Sequence, residues 1–407
     1  MPKQVSFIHT ADLHLDSPFK GLANVPNNIF QEVRDSTFTA LDNLVAQAIN
    51  KNVDFVLMVG DLFDNEQQNL KAQIKLRKAF EELDLYHIKV YISYGNHDFI
   101  KGNIHPITYP PNVYIFPNEE VQHVTHYRGD HPLVNIYGFS YENRAVTQKK
   151  VMEYNIKDEH TPFHIAMLHG SIESNTEHDQ YAPFLLRDLA EKPFDYWALG
   201  HIHKREILKE HPPIIYPGNI QGRNRKESGE KGCYHITMAE TECQADFIPL
   251  QAIQFQPITI DVTQCKEVHQ LEGYIRKNLE VKHSGNTPKL IDLTIHAEHE
   301  EIKHWKNEHL IGDIIEIINE GLTSAKNWMY IHRFHVTWSS NFQHLSYEGE
   351  HFLGELTGLH KSTSIQPFLH ELFQHKEARK YIENVSEEIE EIKEEAYQLL
   401  IHELLRK

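Results

Sequence analysis

Five short apolar runs, each ending in a residue that can hold a metal ion, constrain this chain more than any other feature. Ser6–Thr10 leads to Asp12 and His14, and Phe55–Val59 leads to Gly60-Asp61. Val90–Tyr94 leads to Asn96 and His97, His164–Leu168 to His169, and Tyr196–Leu199 to His201 and His203. Runs of four to six residues rich in β-formers read as buried strands. Between the first two lies the helical spacing of Phe38, Leu41, Leu44, Val45, Ala48 and Ile49; between the next two, that of Ile74, Leu76, Ala79, Phe80 and Leu83. Strand–helix–strand alternation predicts an α/β fold with helices on the sheet faces. Ligands in such sheets gather outside the carboxyl ends of the strands, where these polar residues stand.

The residue types narrow the chemistry. Asp12-Leu13-His14 and His201-Ile202-His203 are i,i+2 pairs just past a strand, in turns where both side chains can aim at one ion. Oxygen and imidazole donors without thiolate suit Mn²⁺, Fe, Zn²⁺ or Mg²⁺. Asp12, His14, Asp61, Asn96, His169, His201 and His203 are too many for one ordinary site and about right for two, with Asp61 the central bridging candidate. Two ions roughly 3.5–4 Å apart can stabilise both the attacking and the leaving oxygen of a phosphoryl displacement. The formal net charge of −18 by itself argues against nucleic acid. Two divalent ions would nevertheless leave the site locally positive, because bound ions dominate their own field. Position decides which of the 30 histidines matter.

Asp-x-His at 12–14, Gly-Asp-x-x-Asp at 60–64, Gly-Asn-His-Asp at 95–98, His-Gly at 169–170 and Gly-His-x-His at 200–203 occur in this order. The ordered set resembles the calcineurin-like metallophosphoesterase superfamily over roughly residues 5–225. The resemblance implies a β-sandwich flanked by helices. It implies a first ion on Asp12, His14, Asp61 and His203, and a second on Asp61, Asn96, His169 and His201. It makes His97 the residue that contacts the substrate phosphate and protonates or stabilises the departing oxygen. Asp98 would hold His97 in position, and Asp64 would support the ligands from behind. Phe7–Leu15, Gly60–Asp64 and Tyr216–Arg223 are similar to SbcD-type DNA repair exonucleases. Asp16 departs from them, since a glycine usually stands there, and the continuation Ser17-Pro18-Phe19 is closer to a YhaO-like branch. The resemblance thus implies a manganese-dependent exonuclease or endonuclease acting on DNA ends. It also implies a capping domain, an SMC-like coiled-coil ATPase partner and a homodimer.

The organisation expected is a metallophosphoesterase domain over 1–252, a small α/β capping domain over 253–340, and a linker with a helical, partner-binding segment over 341–407. Strands are expected at Pro257–Val262, Leu290–Ile295 and Met329–Thr337, and helices near Val268–Leu279 and Leu310–Leu322. Ser339–Pro367, richer in Gly, Ser and Thr, reads as a linker of broken structure. Ile382, Val385, Ile389, Ile392, Ala396 and Leu399 alternate spacings of three and four, a short heptad seam. It reads either as a helix packed on its own domain or as a docking helix for a coiled coil. Arg223, Arg225, Lys226 and Lys231 follow the last metal motif and read either as phosphate contacts or as a solvated loop balanced by Glu227 and Glu230. His296–Glu301 lacks zincin spacing and reads as a solvated loop. No P-loop motif is present. Three cysteines without a CxxC pair, no signal-like start and no run of about 20 apolar residues predict a cytoplasmic chain with no membrane span. Two rival functions stay open: a phosphatase of nucleotides, cyclic nucleotides or phosphoproteins, and a non-catalytic DNA-end scaffold recruiting a coiled-coil ATPase.

Overall fold

A computed structural model of the chain describes residues 4–338, except 20–21, 23–24, 65–67, 103–105, 159, 174–180, 283–284, 299–300 and 324. It also describes 347–364 and positions 367, 393, 396, 397 and 400.

The strands are β1 (Gln4–Thr10), β2 (Phe55–Val59), β3 (Lys89–Ser93), β4 (Val113–Ile115), β5 (Gln122–Arg128), β6 (His131–Gly138), β7 (Phe163–His169), β8 (Tyr196–Gly200), β9 (Glu206–Glu210), β10 (Pro213–Tyr216), β11 (Gly232–Ala239), β12 (Cys243–Pro249), β13 (Gln254–Asp261), β14 (Lys289–Ala297) and β15 (Met329–Trp338). The helices are α1 (Asn27–Asn50), α2 (Leu70–Leu85), α3 (Leu186–Ala190), α4 (Gln270–Lys282), α5 (Glu301–Asn307), α6 (Leu310–Leu322) and α7 (Tyr347–Ser362).

Two six-stranded sheets form a sandwich, ordered β12-β11-β1-β2-β3-β4 and β5-β6-β7-β8-β10-β9. The strands β1 to β4 run parallel, as do β6, β7, β8 and β10, so the carboxyl ends of the central strands open on the same side of each sheet. All five chemistry-bearing runs are strands, three in one sheet and two in the other.

Their unbroken apolar character follows from burial on both faces. Phe7, Phe55, Leu57 and Val59 point inward against Ile165, Met167, Tyr196 and Ala198 of the facing sheet. Phe7 stacks on Phe55 at 5.1 Å and meets the edge of Tyr196 at 5.3 Å between ring centroids. The alternate residues Ile8, Val56, Met58, Val90 and Ile92 pack outward against Phe38, Leu41 and Leu44 of α1 and Leu76 and Phe80 of α2. On the other outer face Ala166, Leu168, Trp197 and Leu199 are covered by Val151, Tyr154, Phe184 and Leu189. Burying each large apolar side chain contributes about 1.5–3 kcal/mol, which holds the sheet ends in fixed register around the site.

The parallel sheet β13-β14-β15 carries α4, α5 and α6 on one face, with its own core of Ile258, Ile260, Leu271, Ile275, Leu293, Ile295, Ile315 and Ile318. The amino-terminal ends of its strands are tied to the sandwich by Phe255, Leu290 and Trp328, which pack with Phe19, Ile29 and Val33. The Trp328 indole N–H donates to Glu32 at 2.8 Å.

Two local expectations need correction. Glu301 begins α5 and His296-Ala297 end β14, so His296–Glu301 is not one solvated loop, although His299 and Glu300 lie outside the described residues. The stretch read as a linker contains the helix α7. Gly354 and Gly358 suggested breaks there, yet Phe352, Leu356 and Leu359 keep helical spacing, and that periodicity outweighs a propensity cost of about 1 kcal/mol per glycine. The heptad seam lies outside the described residues except for Ala396. Beside it, the Tyr397 ring stacks on His360 of α7 at 4.4 Å, and its hydroxyl hydrogen-bonds with Thr357 at 2.7 Å. No described helix is long and apolar enough to cross a membrane.

Candidate dinuclear metal centre

The polar residues that end β1, β2, β3, β7 and β8 meet in one cluster. Strand exits place them by turning through unusual backbone. Asp12, His14, Asp61 and His201 all have positive φ, at 51°, 42°, 51° and 99°. Asp and His tolerate this region better than most residues, but each such position costs on the order of 1–3 kcal/mol. The cost is offset by main-chain bonding between the β1 and β2 exits. Asp12 N donates to Gly60 O at 3.1 Å, His14 N to Asp61 O at 3.0 Å, and Leu15 N to Leu62 O at 3.0 Å.

Asp16 also has positive φ, at 63°. Its carboxylate accepts from the Asn69 side chain at 2.5 Å, and Asn69 in turn caps α2 by accepting from Lys71 N at 2.8 Å. A hydrogen bond from the start of α2 thus helps to hold Asp16 in this backbone region.

Three groups of side chains each bring one ligand atom per residue within 4.8 Å of one another: Asp12, His14 and His203; His14, Asp61 and His97; and Asp61, His169 and His201. Asn96 joins the third, its Oδ1 lying 3.0 Å from His169 Nε2 and 3.2 Å from His201 Nδ1. All seven residues that the sequence singled out are therefore in one place, with His14 shared by the first and second groups and Asp61 by the second and third.

The donor atoms suit divalent ions. His14 Nε2 and His203 Nε2 face each other at 3.0 Å, an arrangement in which at most one nitrogen can carry a proton. The Nδ1–H of His169 donates to Val59 O at 3.0 Å, which turns Nε2 toward Asp61 and Asn96. Room for this convergence comes from Gly95, where a Cβ would collide with Asp61 Oδ1 and lie 2.7 Å from His169 Nε2.

The electrostatics are those of a carboxylate buried among imidazoles. Burial pushes Asp61 up, but His169, His97 and His14 around it hold its carboxyl well below the usual range. Conversely, burial pushes His169 down, and Asp61 outweighs it, raising the imidazole to about 9. Burial, followed by Arg223, lowers His14 to about 3, so that ring stays neutral. Burial raises Asp12 to about 6 against the pull of His203 and His169. Metal binding must release whatever protons these ligands hold.

His97 stands at the rim, half-buried. Its main-chain N donates to Asp61 Oδ1 at 2.9 Å, and its Nδ1 donates to Asp64 O at 2.8 Å. That leaves Nε2 for a substrate. The expectation that Asp98 holds His97 needs correction. The Asp98 carboxylate accepts main-chain N–H groups of Gly95 at 2.6 Å, Leu62 at 2.7 Å and Asp61 at 3.3 Å. It pins the β2 and β3 exits together, and the carbonyl of Asp64 orients the histidine.

The basic residues after β10 are not one surface patch. Arg223 Nη1 pairs with Asp64 Oδ1 at 2.6 Å, and its Nη2 lies 3.4 Å from Glu227 Oε1. Lys231 is buried and donates to His203 O at 3.0 Å. Arg225 lies 3.8 Å from Asp292 of β14, and Lys226 is exposed. In the sequence Glu227 reads as a balancing loop charge, and Asn219 carries no signal of a role. In the fold, Glu227 Oε1 lies 2.7 Å from His203 Nδ1, and its Oε2 accepts from Asn219 Nδ2 at 2.7 Å. The signal was available in an acidic residue four positions after an arginine, directly downstream of the last metal motif.

Comparison with known proteins agrees with this geometry. Residues 5–205 match the family model for calcineurin-like phosphoesterase. The chain is 34% identical over 406 residues to the uncharacterized metallophosphoesterase YhaO of Bacillus subtilis (strain 168), covering 99% of each chain. It is 23% identical over 316 residues to the DNA double-strand break repair protein Mre11 of Thermoplasma acidophilum, covering 72% of this chain and 77% of that one. It is 27% identical over 230 residues to the Mre11 protein of Methanocaldococcus jannaschii, covering 54% and 58%.

Proposed function

Because the chain belongs to the calcineurin-like phosphoesterase family, whose members use a dinuclear metal site, we propose that it is a phosphodiesterase acting on DNA ends. The observation that carries this reading is the two groups Asp12/His14/His203 and Asp61/His169/His201 at the open ends of both sheets, with His14 Nε2 3.9 Å from Asp61 Oδ2 where they meet. Asp12, His14, Asp61 and His203 would hold one ion, and Asp61, Asn96, His169 and His201 the other. Imidazole and carboxylate donors without thiolate favour Mn²⁺, with Fe, Zn²⁺ and Mg²⁺ as alternatives. Bound there, two divalent ions supply the positive charge that stabilises an in-line displacement at phosphorus and the activation of water near neutral pH.

The protein's own groups do the rest. Asp61, kept ionised among imidazoles, fixes the separation of the two halves. His97 directs Nε2 toward the departing oxygen, which it protonates or stabilises. Asp98 supports the reaction indirectly, by locking the β2 and β3 exits together.

Similarity to proteins named for double-strand break repair supports DNA as the substrate, and the 316-residue match is longer than the sandwich alone. Arg225, which reaches Asp292 of β14, and the exposed Lys226 are the basic side chains we assign to phosphate contact. The sheet β13-β14-β15 with its helices acts as the cap. A coiled-coil ATPase docked on the C-terminal segment, a second copy of the chain and a cytoplasmic setting belong to the same reading.

The test is cleavage of end-labelled single- and double-stranded DNA with Mn²⁺ by the wild type and Asp61→Asn. Release of mono- or short oligonucleotides by the wild type only is the expected result. Intact DNA with turnover of mononucleotides or bis-p-nitrophenyl phosphate would move the substrate elsewhere. Tight DNA binding with no turnover of any phosphoester would favour the scaffold.

A further inference from the structure

The two halves of the centre are supported in different ways. His169 is oriented by a neutral acceptor, the main-chain carbonyl of Val59, at 3.0 Å. His203 is oriented by a carboxylate. Glu227 Oε1 lies 2.7 Å from His203 Nδ1, while its Oε2 accepts from Asn219 Nδ2 at 2.7 Å and from Arg223 N at 2.8 Å. Both oxygens are thus committed, and the side chain is 12% exposed.

The same arginine reaches the other imidazole of that half. Arg223 Nη1 pairs with Asp64 Oδ1 at 2.6 Å, and Asp64 Oδ1 lies 3.5 Å from His14 Nδ1. One guanidinium therefore ties together the two carboxylates that stand behind His14 and His203.

The proton on His203 can be assigned by elimination. Arg223 Nη2 also lies 3.1 Å from His203 Nδ1, and arginine can only donate. One ring nitrogen cannot both accept from Arg223 and donate to Glu227. If Nδ1 were the acceptor, its lone pair would face a carboxylate oxygen at 2.7 Å, two acceptors in contact. Nδ1 therefore carries the hydrogen and Arg223 serves the carboxylates. In the neutral ring the lone pair then falls on Nε2, the nitrogen that faces His14 Nε2 at 3.0 Å.

The backbone behind His203 is held as well. Lys231 Nζ donates to His203 O at 3.0 Å. Gly218, at φ 75°, lets the following turn approach so closely that a Cβ would lie 2.7 Å from that carbonyl. This turn delivers Asn219 to Glu227.

We propose that Glu227, braced by Asn219 and Arg223, is a positioning residue that fixes the tautomer of His203 and sets the affinity of the Asp12/His14/His203 half of the centre alone. The inference rests on the two-ion reading of the site. A charged acceptor raises the basicity of a ligand imidazole more than a neutral carbonyl does, and removing such a partner typically costs 10–100-fold in metal affinity.

The test is calorimetric titration of metal-free protein with Mn²⁺, for the wild type, Glu227→Ala and Glu227→Gln, with thermal melts of the metal-free forms. The expected result is two ions in the wild type and one of them weakened about 10–100-fold in Glu227→Ala, with the other within about threefold. Glu227→Gln keeps an amide oxygen that can accept from Nδ1–H, so it should fall between them. It also serves if the alanine variant does not fold. Two unchanged affinities, or two equally weakened ones, would overturn the proposal while leaving the two-ion reading in place. A wild type that binds no Mn²⁺ would overturn both.

Discussion

Replacing Gly95 by alanine should disable the centre without unfolding the protein. An added Cβ would lie 2.7 Å from His169 Nε2, where ordinary contact begins at 3.4 Å, and would press harder still on Asp61 Oδ1. The His169 ring must retreat by about 0.7 Å, and the carboxylate by more. Gly95 is not among the positive-φ glycines, so alanine meets no backbone penalty there. Restricting the unfolded chain even favours the variant by about 0.4–1 kcal/mol, offsetting part of the crowding. Misplacement of reacting groups by 1 Å can cost about 100-fold in rate. Hydrolysis of bis-p-nitrophenyl phosphate with saturating Mn²⁺ should therefore show kcat down about 100-fold, with a melting temperature within a few degrees of wild type. Wild-type turnover in a folded Gly95→Ala protein would mean that the close approach of Asp61 and His169 is irrelevant to the chemistry.

His97→Ala should lower kcat by about 10²–10⁴-fold while Mn²⁺ affinity stays near wild type; a matching loss of affinity would make His97 a ligand instead. Stability should also depend on pH through His126, which burial depresses from 6.5 to about 4 beside its Tyr91 partner at 2.9 Å. The unfolded chain binds this proton below 6.5 and the folded one only near 4, so stability is full above 6.5 and falls as pH drops toward 4, by up to roughly 3 kcal/mol. Urea unfolding of the metal-free protein should show a shallower decline over that window in His126→Leu, and an unchanged slope would count against the assignment.

Much of this site was legible because its residues follow strands whose both faces are buried. Phe55–Val59 must be apolar throughout, so the first polar residue beyond it, Asp61, marks the strand end and the site together. The helices α1 and α2 were equally plain from their 3.6-residue spacing. What stayed hidden depends on main-chain geometry or on distant pairing. The part played by Asp98 is decided by three N–H groups from two strand exits, which no spacing rule encodes. Glu227 matters only because the turn after β10 returns it to His203. By charge and place Arg223 reads either as a phosphate contact or as part of a solvated loop, and the fold instead turns it inward onto Asp64. In α7 the Gly, Ser and Thr content of the stretch pointed to a linker, although the helix forms across both glycines.

The central claim is a pair of ions joined through Asp61. Crystals grown with Mn²⁺ and measured at the manganese absorption edge test it most directly. The account predicts two anomalous peaks about 3.5–4 Å apart, with Asp61 between them, Asp12, His14 and His203 around one, and Asn96, His169 and His201 around the other. A single peak, or two peaks with no shared Asp61, would contradict it.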